Sequence, residues 1–93
     1  MNTINLVKSN EIGMRWTSGH RDHWTECVLY IGNRRVTVDR GSSAHNPFPS
    51  VSDLELSLDR QDAQIKPLVM QYAKEIVEFF NSVEEGEKSI QCS

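Results

Sequence analysis

Histidine and cysteine are the residues of this sequence best suited to metal chemistry, and four of them fall between positions 20 and 45. His20 and His23 have a His-x-x-His spacing that could begin a zinc site, with Cys27 and His45 as further ligands. Structural zinc sites usually need four ligands in tight pairs, whereas here Cys27 falls inside a predicted strand and His45 in a separate loop. We therefore predict no metal and no cofactor, and interpret these residues as loop histidines beside a buried thiol.

Acid–base catalysis is a second chemistry that the same region could support. Histidine is the residue type that ordinarily changes charge near neutral pH, and Asp22 lies between His20 and His23. No residue pattern supplies a nucleophile or the donors of an oxyanion hole. The sequence therefore predicts that the protein is not an enzyme.

Residue types suited to binding cluster around Gly32-Asn33. A two-residue connection that begins with glycine favours a type II′ hairpin between 24–31 and 34–40. On one face of that hairpin Tyr30 lies opposite Arg35. Trp, Tyr and Arg are enriched where proteins bind one another. We predict a partner-binding face made by Trp24, Glu26, Tyr30, Arg35 and Asp39. The alternative is a surface Tyr–Arg pair, with Trp24 tucked under the loop 17–22.

Glu26 opposite Asp39 is a local conflict in this hairpin, because like charges directly across a ladder destabilise it. We expect a neighbouring arginine to neutralise the pair, the candidates being Arg15, Arg21 and Arg40. The other ways to resolve the conflict are a metal or a basic partner.

The hairpin also supports a second hypothesis, binding of single-stranded nucleic acid. Exposed aromatic residues on a sheet can stack on bases, and cations can contact phosphates. The cations are Lys8, Arg15, Arg21, Arg34, Arg35 and Arg40, interleaved with Trp16, Trp24 and Tyr30. Against this, the net charge is −3 and no known nucleic-acid-binding motif is present. Nucleic acid is therefore the alternative partner.

The second half of the chain is acidic, with a net charge of −5 over 48–93 against +2 over 1–47. Its carboxylates include Asp53, Glu55, Asp59, Asp62, Glu84, Glu85 and Glu87. They form either a solvated surface or a mimic of nucleic-acid phosphates. In size, charge and layout the sequence resembles small α+β proteins encoded by phages, including anti-defence inhibitors, although no motif carries that likeness.

The elements that position these residues begin with strands. Apolar residues alternate in 3–8 and in 11–16, and Ser9-Asn10 between them predicts a tight turn. Leucines alternate again at 54, 56 and 58, which favours a strand over 51–59. Ser52 and Glu55 could instead form the capping box of a helix there.

A helix is predicted from Pro67 to about Val83, followed by a flexible tail over 87–93. Its apolar arc spans about 200°, which is wider than a single small sheet can cover. We expect one flank to stay uncovered, either Leu68 and Phe79 or Met70, Ala73 and Val77, unless the long loops fold over it. The second flank is our candidate for self-association of the chain as a homodimer.

These elements predict one α+β domain over 1–86, with an antiparallel sheet of four to five strands and one C-terminal amphipathic helix packed on one face. The 93-residue chain has 38% hydrophobic residues and no apolar run long enough to span a membrane. Two distant cysteines suggest reduced thiols, so we expect a cytoplasmic protein with no membrane partner. The leading functional hypothesis is a small protein-binding regulator or inhibitor that occludes a partner surface.

Overall fold

The computed structural model describes residues 2–14, 21–38 and 49–92. They form an α+β fold in which one antiparallel sheet has the strand order β3-β2-β1-β4. The strands are β1 (Thr3–Met14), β2 (Arg21–Ile31), β3 (Arg34–Thr37) and β4 (Gly86–Gln91). Between β3 and β4 lie the helices α1 (Val51–Gln61), α2 (Lys66–Met70) and α3 (Ala73–Ser82), with a 3-10 turn at Ala63–Ile65. The α+β class is confirmed, whereas the prediction of one C-terminal helix is wrong.

The first strand is a single long element, so the predicted turn at Ser9-Asn10 is wrong. Ser9 pairs with Glu26 and Asn10 with Thr25 in an unbroken antiparallel ladder between β1 and β2. A tight hairpin turn of the favoured types needs at least one residue with positive φ. No described residue other than glycine has a positive φ. Residues 3–14 therefore form one strand, which pairs with β2 from Ile4 to Met14.

The connection between β2 and β3 is the predicted two-residue turn. Ile31 pairs with Arg34, and the ladder continues through Leu29↔Val36. Gly32 has a φ of 59°, and Asn33 has a negative φ like every described residue other than glycine. Positive φ at the first central residue alone is the signature of the type II′ turn, which glycine adopts without steric cost.

Residues 51–61 form a helix, so the predicted strand over 51–59 is wrong. The helix begins with a capping box in which the Ser50 hydroxyl accepts from the Asp53 N–H and the Asp53 carboxylate accepts from the Ser50 N–H. This box lies two residues before the Ser52–Glu55 alternative. Leu54 and Leu58 are fully buried, whereas Leu56 is 49% exposed. A spacing of four residues places two leucines on one helix face and turns the third away.

The predicted helix from Pro67 is broken in two at Gln71 and Tyr72. The N–H groups of these residues donate to carbonyls three residues back, Leu68 and Val69, at 3.3 and 2.9 Å. Bonds of this kind belong to the tighter 3-10 geometry, in which residues advance about 120° each. A single helical wheel therefore does not describe the whole segment.

Both flanks of this helical segment contact the core. Ala73 is buried, while Met70, Val77, Leu68 and Phe79 are partly buried against the core. α1 packs beside α2 and α3, and self-association through Met70, Ala73 and Val77 stays a prediction. A wide apolar arc serves a helix that contacts both a sheet and a second helix.

The segment predicted as a flexible tail contains the edge strand β4. Gly86–Gln91 pairs antiparallel with β1, and the Cys92 N–H donates to the Asn2 carbonyl at 3.0 Å. Ile90 and Cys92 are buried in the core. Their spacing of two residues was the available sequence signal for a strand whose one face is covered.

All the described helices pack on one face of the sheet. One core cluster joins sheet residues such as Leu6, Leu29 and Val36 to helix residues such as Leu58 and Phe80. Lys8 lies at the margin of this layer, where its ammonium donates to the Phe80 carbonyl near the end of α3. A cation stabilises that end of a helix, where carbonyls lack helical partners. No helix in the described ranges combines the length and apolar character that crossing a membrane requires.

Candidate functional site on the helix-free sheet face

The face of the sheet opposite the helices is the candidate site, and we call it the open face. Side chains alternate between the two faces of a strand, so this face takes every second residue. Two rows cross it from β3 to β4 in the observed register. One row is Arg35, Tyr30, Asn5 and Ser89, and the other is Thr37, Val28, Val7 and Glu87. Glu26, Thr3 and Gln91 lie at its margins.

Tyr30 and Arg35 meet on the open face as a cross-strand pair. The Tyr30 side chain is partly buried, whereas the side chain of Arg35 is 53% exposed. Arg35 reaches along the strands, donating to the Glu26 carboxylate at 2.8 Å and to the Thr37 hydroxyl at 3.2 Å. The neighbouring Tyr30 side chain, and after it the Glu26 carboxylate, raise the pKa of the Arg35 guanidinium. The residues form one connected group, which we call the Tyr30–Arg35–Glu26 network.

Val28 lies between Tyr30 and Glu26 on β2 and is only 4% exposed, although no described helix covers this face. Arg35 spans this position, because it extends from beside Tyr30 to Glu26. A long side chain that lies along apolar surface loses rotamer freedom before any partner arrives. The network therefore presents a preorganised guanidinium beside an aromatic ring.

A groove of about 540 Å³ adjoins Tyr30 on the side away from Arg35. Its floor and walls come from β1, β2 and β4, and the lining residues include Asn5, Val7, Tyr30, Glu87 and Ser89. The Ser89 hydroxyl donates to the Asn5 side-chain oxygen at 2.6 Å, which fixes the polar wall of the groove. Aromatic, aliphatic and hydrogen-bonding groups are thus adjacent at one place on the open face.

Three of the five residues predicted for partner binding, Glu26, Tyr30 and Arg35, are together on this face. Trp24 lies in β2 opposite Glu11, about 20 Å along the strand from Tyr30. Its side chain and the whole of Asp39 lie outside the described part of the chain. The proposed conflict between Glu26 and Asp39 also falls there. Among the described contacts, Arg35 pairs with Glu26, an arginine that the sequence analysis did not consider for this purpose.

The predicted basic surface for nucleic acid does not form from the cations whose side chains are described. Lys8 is on the helix-covered side at the end of α3. Arg34 donates to both carboxylate oxygens of Asp62, at 2.8 and 2.9 Å, and to Gln64. Each of the three, Arg35 included, already contacts a carboxylate or a backbone carbonyl. The side chains of Arg15, Arg21 and Arg40 lie outside the described part of the chain.

The acidic set is also divided among structural contacts. Asp53 takes part in the cap of α1, Asp59 contacts Lys66 at 2.9 Å, and Asp62 contacts Arg34. Asp53 lies in the first turn of α1, where a carboxylate interacts favourably with the helix dipole, and Asp59 and Asp62 lie at the other end of α1, where each pairs with a cation. These three carboxylates therefore all have partners within the chain.

Cys27, which the sequence suggested as a further zinc ligand, lies on the core side of β2. Its side chain is 1% exposed, and burial raises the pKa of the thiol to about 11, although nearby Lys8 opposes the shift. His20 and His45 lie outside the described residues, as does the side chain of His23. A thiol with this pKa stays protonated at neutral pH in the absence of a metal.

Comparison with protein families, curated proteins and solved structures finds no match for this chain.

Proposed function

We propose that this chain is a non-enzymatic protein-binding module that uses the open face of its sheet. The observation that carries the proposal is the Tyr30–Arg35–Glu26 network beside the groove on a face that no described helix covers. Tyrosine and arginine contribute disproportionately to protein interfaces, because each combines a large contact area with directional hydrogen bonds. The chain then acts as a regulator or inhibitor by occluding the surface to which it binds.

The preorganisation of Arg35 supports binding to a protein surface. Immobilising a flexible side chain on association costs roughly 0.5–1.5 kcal/mol, and here much of that ordering precedes binding. The groove beside Tyr30 gives a partner side chain a place to enter, with Asn5 and Ser89 on its polar wall. An apolar or aromatic partner residue with a nearby hydrogen-bonding group fits this combination.

The same contacts disfavour single-stranded nucleic acid as the partner. Affinity for a phosphate backbone comes largely from lysine and arginine side chains that release counterions. Arg35 would have to exchange its contact with Glu26 for a phosphate, and Arg34 its contacts with Asp62. Both exchanges place a carboxylate close to the phosphate chain and therefore oppose binding.

An affinity experiment with matched variants tests the proposal. The wild type, Tyr30→Ala, Arg35→Ala and the control Arg60→Ala are immobilised, and captured proteins from the native host are quantified by mass spectrometry. Arg60 is an exposed arginine on α1, in the helical layer. We expect one protein to be captured by the wild type and by the control but lost from both open-face variants.

The dissociation constants of the variants for that protein then measure how much Tyr30 and Arg35 each contribute to binding. We expect Tyr30→Ala and Arg35→Ala each to weaken binding about 30-fold, equivalent to roughly 2 kcal/mol, and Arg60→Ala to change it little. Raising the salt from about 50 to 200 mM weakens a complex with several phosphate contacts by about a thousandfold. A loss of that size, with single-stranded nucleic acid as the captured ligand, would establish the alternative. Unchanged affinity in both open-face variants would contradict the proposal.

A further inference from the structure

The two edges of this sheet are treated differently by the rest of the chain. In an antiparallel pair, backbone groups point toward the partner strand and away from it at alternate residues. The Val38 N–H donates to the Cys27 carbonyl, so Val36 and Val38 bond inward to β2 while Arg35 and Thr37 point outward. An outward row of unpaired N–H and C=O groups is a template for another strand.

The β3 edge is closed by a side chain of α1. The Thr37 N–H donates to the Gln61 side-chain oxygen at 2.9 Å, and the Gln61 side-chain nitrogen donates to the Thr37 carbonyl at 2.6 Å. One glutamine amide thus satisfies both outward groups of Thr37, as a neighbouring strand would. The Arg34–Asp62 ion pair holds the end of α1 beside the same strand. A further strand cannot pair at Thr37 without displacing Gln61.

The β4 edge has no such cover within residues 2–14, 21–38 and 49–92. The Cys92 N–H bonds inward to Asn2, so by alternation Ile90 and Lys88 also bond inward to β1. The outward N–H and C=O groups are then those of Glu87, Ser89 and Gln91. Among the described residues, none places a donor or an acceptor on these groups.

We propose that β4 pairs antiparallel with β4 of a second copy of this chain, about a two-fold axis at Ser89, to form a continuous sheet across the dimer. In this register Ser89 lies opposite its own copy, and Glu87 of each copy lies opposite Gln91 of the other. All three outward residues then find backbone partners, and each charged Glu87 faces a neutral amide. Two-fold pairing of identical surfaces is the commonest way in which proteins assemble.

Charge selects this register over its neighbours. An axis at Lys88 would set two lysines opposite each other, which is destabilising across a ladder. An axis at Ile90 would move Glu87 beyond the described end of the opposing strand and leave it without a backbone partner. With the axis at Ser89, Lys88 faces Ile90 of the other copy and keeps its contact with Glu75 at 3.2 Å.

The inference stands apart from the proposed partner binding and from the earlier prediction of self-association through Met70, Ala73 and Val77. The groove beside Tyr30 includes the side chains of Glu87 and Ser89, but edge pairing uses the backbone of β4, and Tyr30 and Arg35 lie on β2 and β3. Met70, Ala73 and Val77 lie on α2 and α3, so that earlier prediction concerns the helical layer and not the backbone of β4. The experiments on Tyr30 and Arg35 can therefore fail while this inference holds, and the reverse is equally true.

Sedimentation equilibrium of the full chain at high micromolar concentration gives the first test, with two substitutions of one residue. Ser89→Pro removes an N–H that points away from β1, so it leaves the β1–β4 ladder intact but blocks edge pairing. Ser89→Ala removes only the hydroxyl that bonds to Asn5. We expect a dimer for the wild type and for Ser89→Ala, and a monomer for Ser89→Pro. A monomeric wild type, or a dimer that persists in Ser89→Pro, overturns the proposal.

A charge exchange tests the register without proline. Gln91→Glu keeps the oxygen that accepts from Thr3 and places two carboxylates opposite each other at both ends of the interface. We expect the dimer dissociation constant to rise about three- to tenfold, and the double variant Glu87→Gln/Gln91→Glu to restore it to within about twofold. Equal dissociation constants for the wild type and Gln91→Glu would overturn this register.

Amide hydrogen exchange locates the interface. The N–H groups of Glu87, Ser89 and Gln91 should exchange more slowly as the protein concentration rises, whereas that of Arg35, which points outward on β3, should not change. The helix variant Val77→Glu should leave this concentration dependence in place. A dimer in which these three amides exchange at a rate independent of concentration would overturn the proposal.

Discussion

Tyr30 and Cys27 lie three residues apart on β2 and therefore point to opposite faces of the sheet. Tyr30 is on the open face, opposite Arg35 of β3. Cys27 is on the core face, 1% exposed, with a pKa of about 11. The face of the sheet on which a side chain lies thus decides whether it is accessible to a partner or buried in the core.

The buried Cys27 thiol makes the stability of the fold depend on alkaline pH. In the unfolded chain the thiol ionises near its ordinary pKa of 9.0, whereas in the folded chain it keeps its proton until about pH 11. Since ionisation then favours the unfolded state, the free energy of unfolding is unaffected below about pH 9 and falls between about 9 and 11. The loss is at most roughly 2–3 kcal/mol.

Urea denaturation at several pH values measures this effect, with Cys27→Ala as the control. Tyrosine and lysine side chains also titrate in this range, and they do so in both proteins. We expect the wild type to lose more stability than Cys27→Ala between pH 9 and 11. Parallel pH profiles for the two proteins would show that Cys27 does not titrate differently in the folded state.

At the scale of elements, α1 shows how an alternating sequence becomes a helix. Leu54, Leu56 and Leu58 fit a strand by their period of two, yet two of them also fit a helix by their spacing of four. Burial of Leu54 and Leu58 against the sheet, together with the Ser50–Asp53 cap, decides between these alternatives. The exposed Leu56 is the residue that the strand interpretation could not accommodate.

The cap of α1 can be tested with two serines that lie two residues apart. Ser50→Ala removes the hydroxyl that accepts from the Asp53 N–H, and we expect the free energy of unfolding to fall by about 1 kcal/mol. Ser52→Ala, at the cap position that the sequence suggested as the alternative, should change it by less than about 0.5 kcal/mol. Urea denaturation compares the two variants, and a larger loss for Ser52→Ala would place the start of the helix elsewhere.

At the scale of the whole molecule, the ends of the chain are joined in one sheet. β1 is the strand that joins them, because it pairs with β2 on one side and with β4 on the other. It also contributes Ile4 and Leu6 to the core. Among the described residues, contacts between the first and the last strand join the positions farthest apart in sequence. Pairing β1 with β4 closes a long loop of chain, and the entropy cost of closing a loop grows with its length.

Truncation after Glu85 tests whether β4 is part of the domain. The shortened chain lacks the buried Ile90 and Cys92 and exposes the second edge of β1. We expect it to lose roughly 4 kcal/mol of stability or more, or to remain unfolded, because it forfeits two core side chains and a ladder. Circular dichroism and urea denaturation measure the loss.

Deletion of Ser93 alone is the matched control for this truncation, and we expect it to leave the unfolding transition unchanged. If the chain ending at Glu85 unfolded at the same urea concentration as the full chain, β4 would contribute nothing to the domain.

Features that depend only on neighbouring residues could be predicted from the sequence. Gly32 supplies the positive φ that a type II′ turn requires, so the β2–β3 register and the pairing of Tyr30 with Arg35 follow from a few adjacent positions. The tertiary structure alone decided the rest. Period-two leucines suit either a strand or a helix until a core chooses between them, and β4 is a strand only because β1 pairs with it. The contact of Arg35 with Glu26 and the hydrogen bond of Gln61 to the β3 edge likewise join residues that are separated in sequence and become neighbours only in the fold.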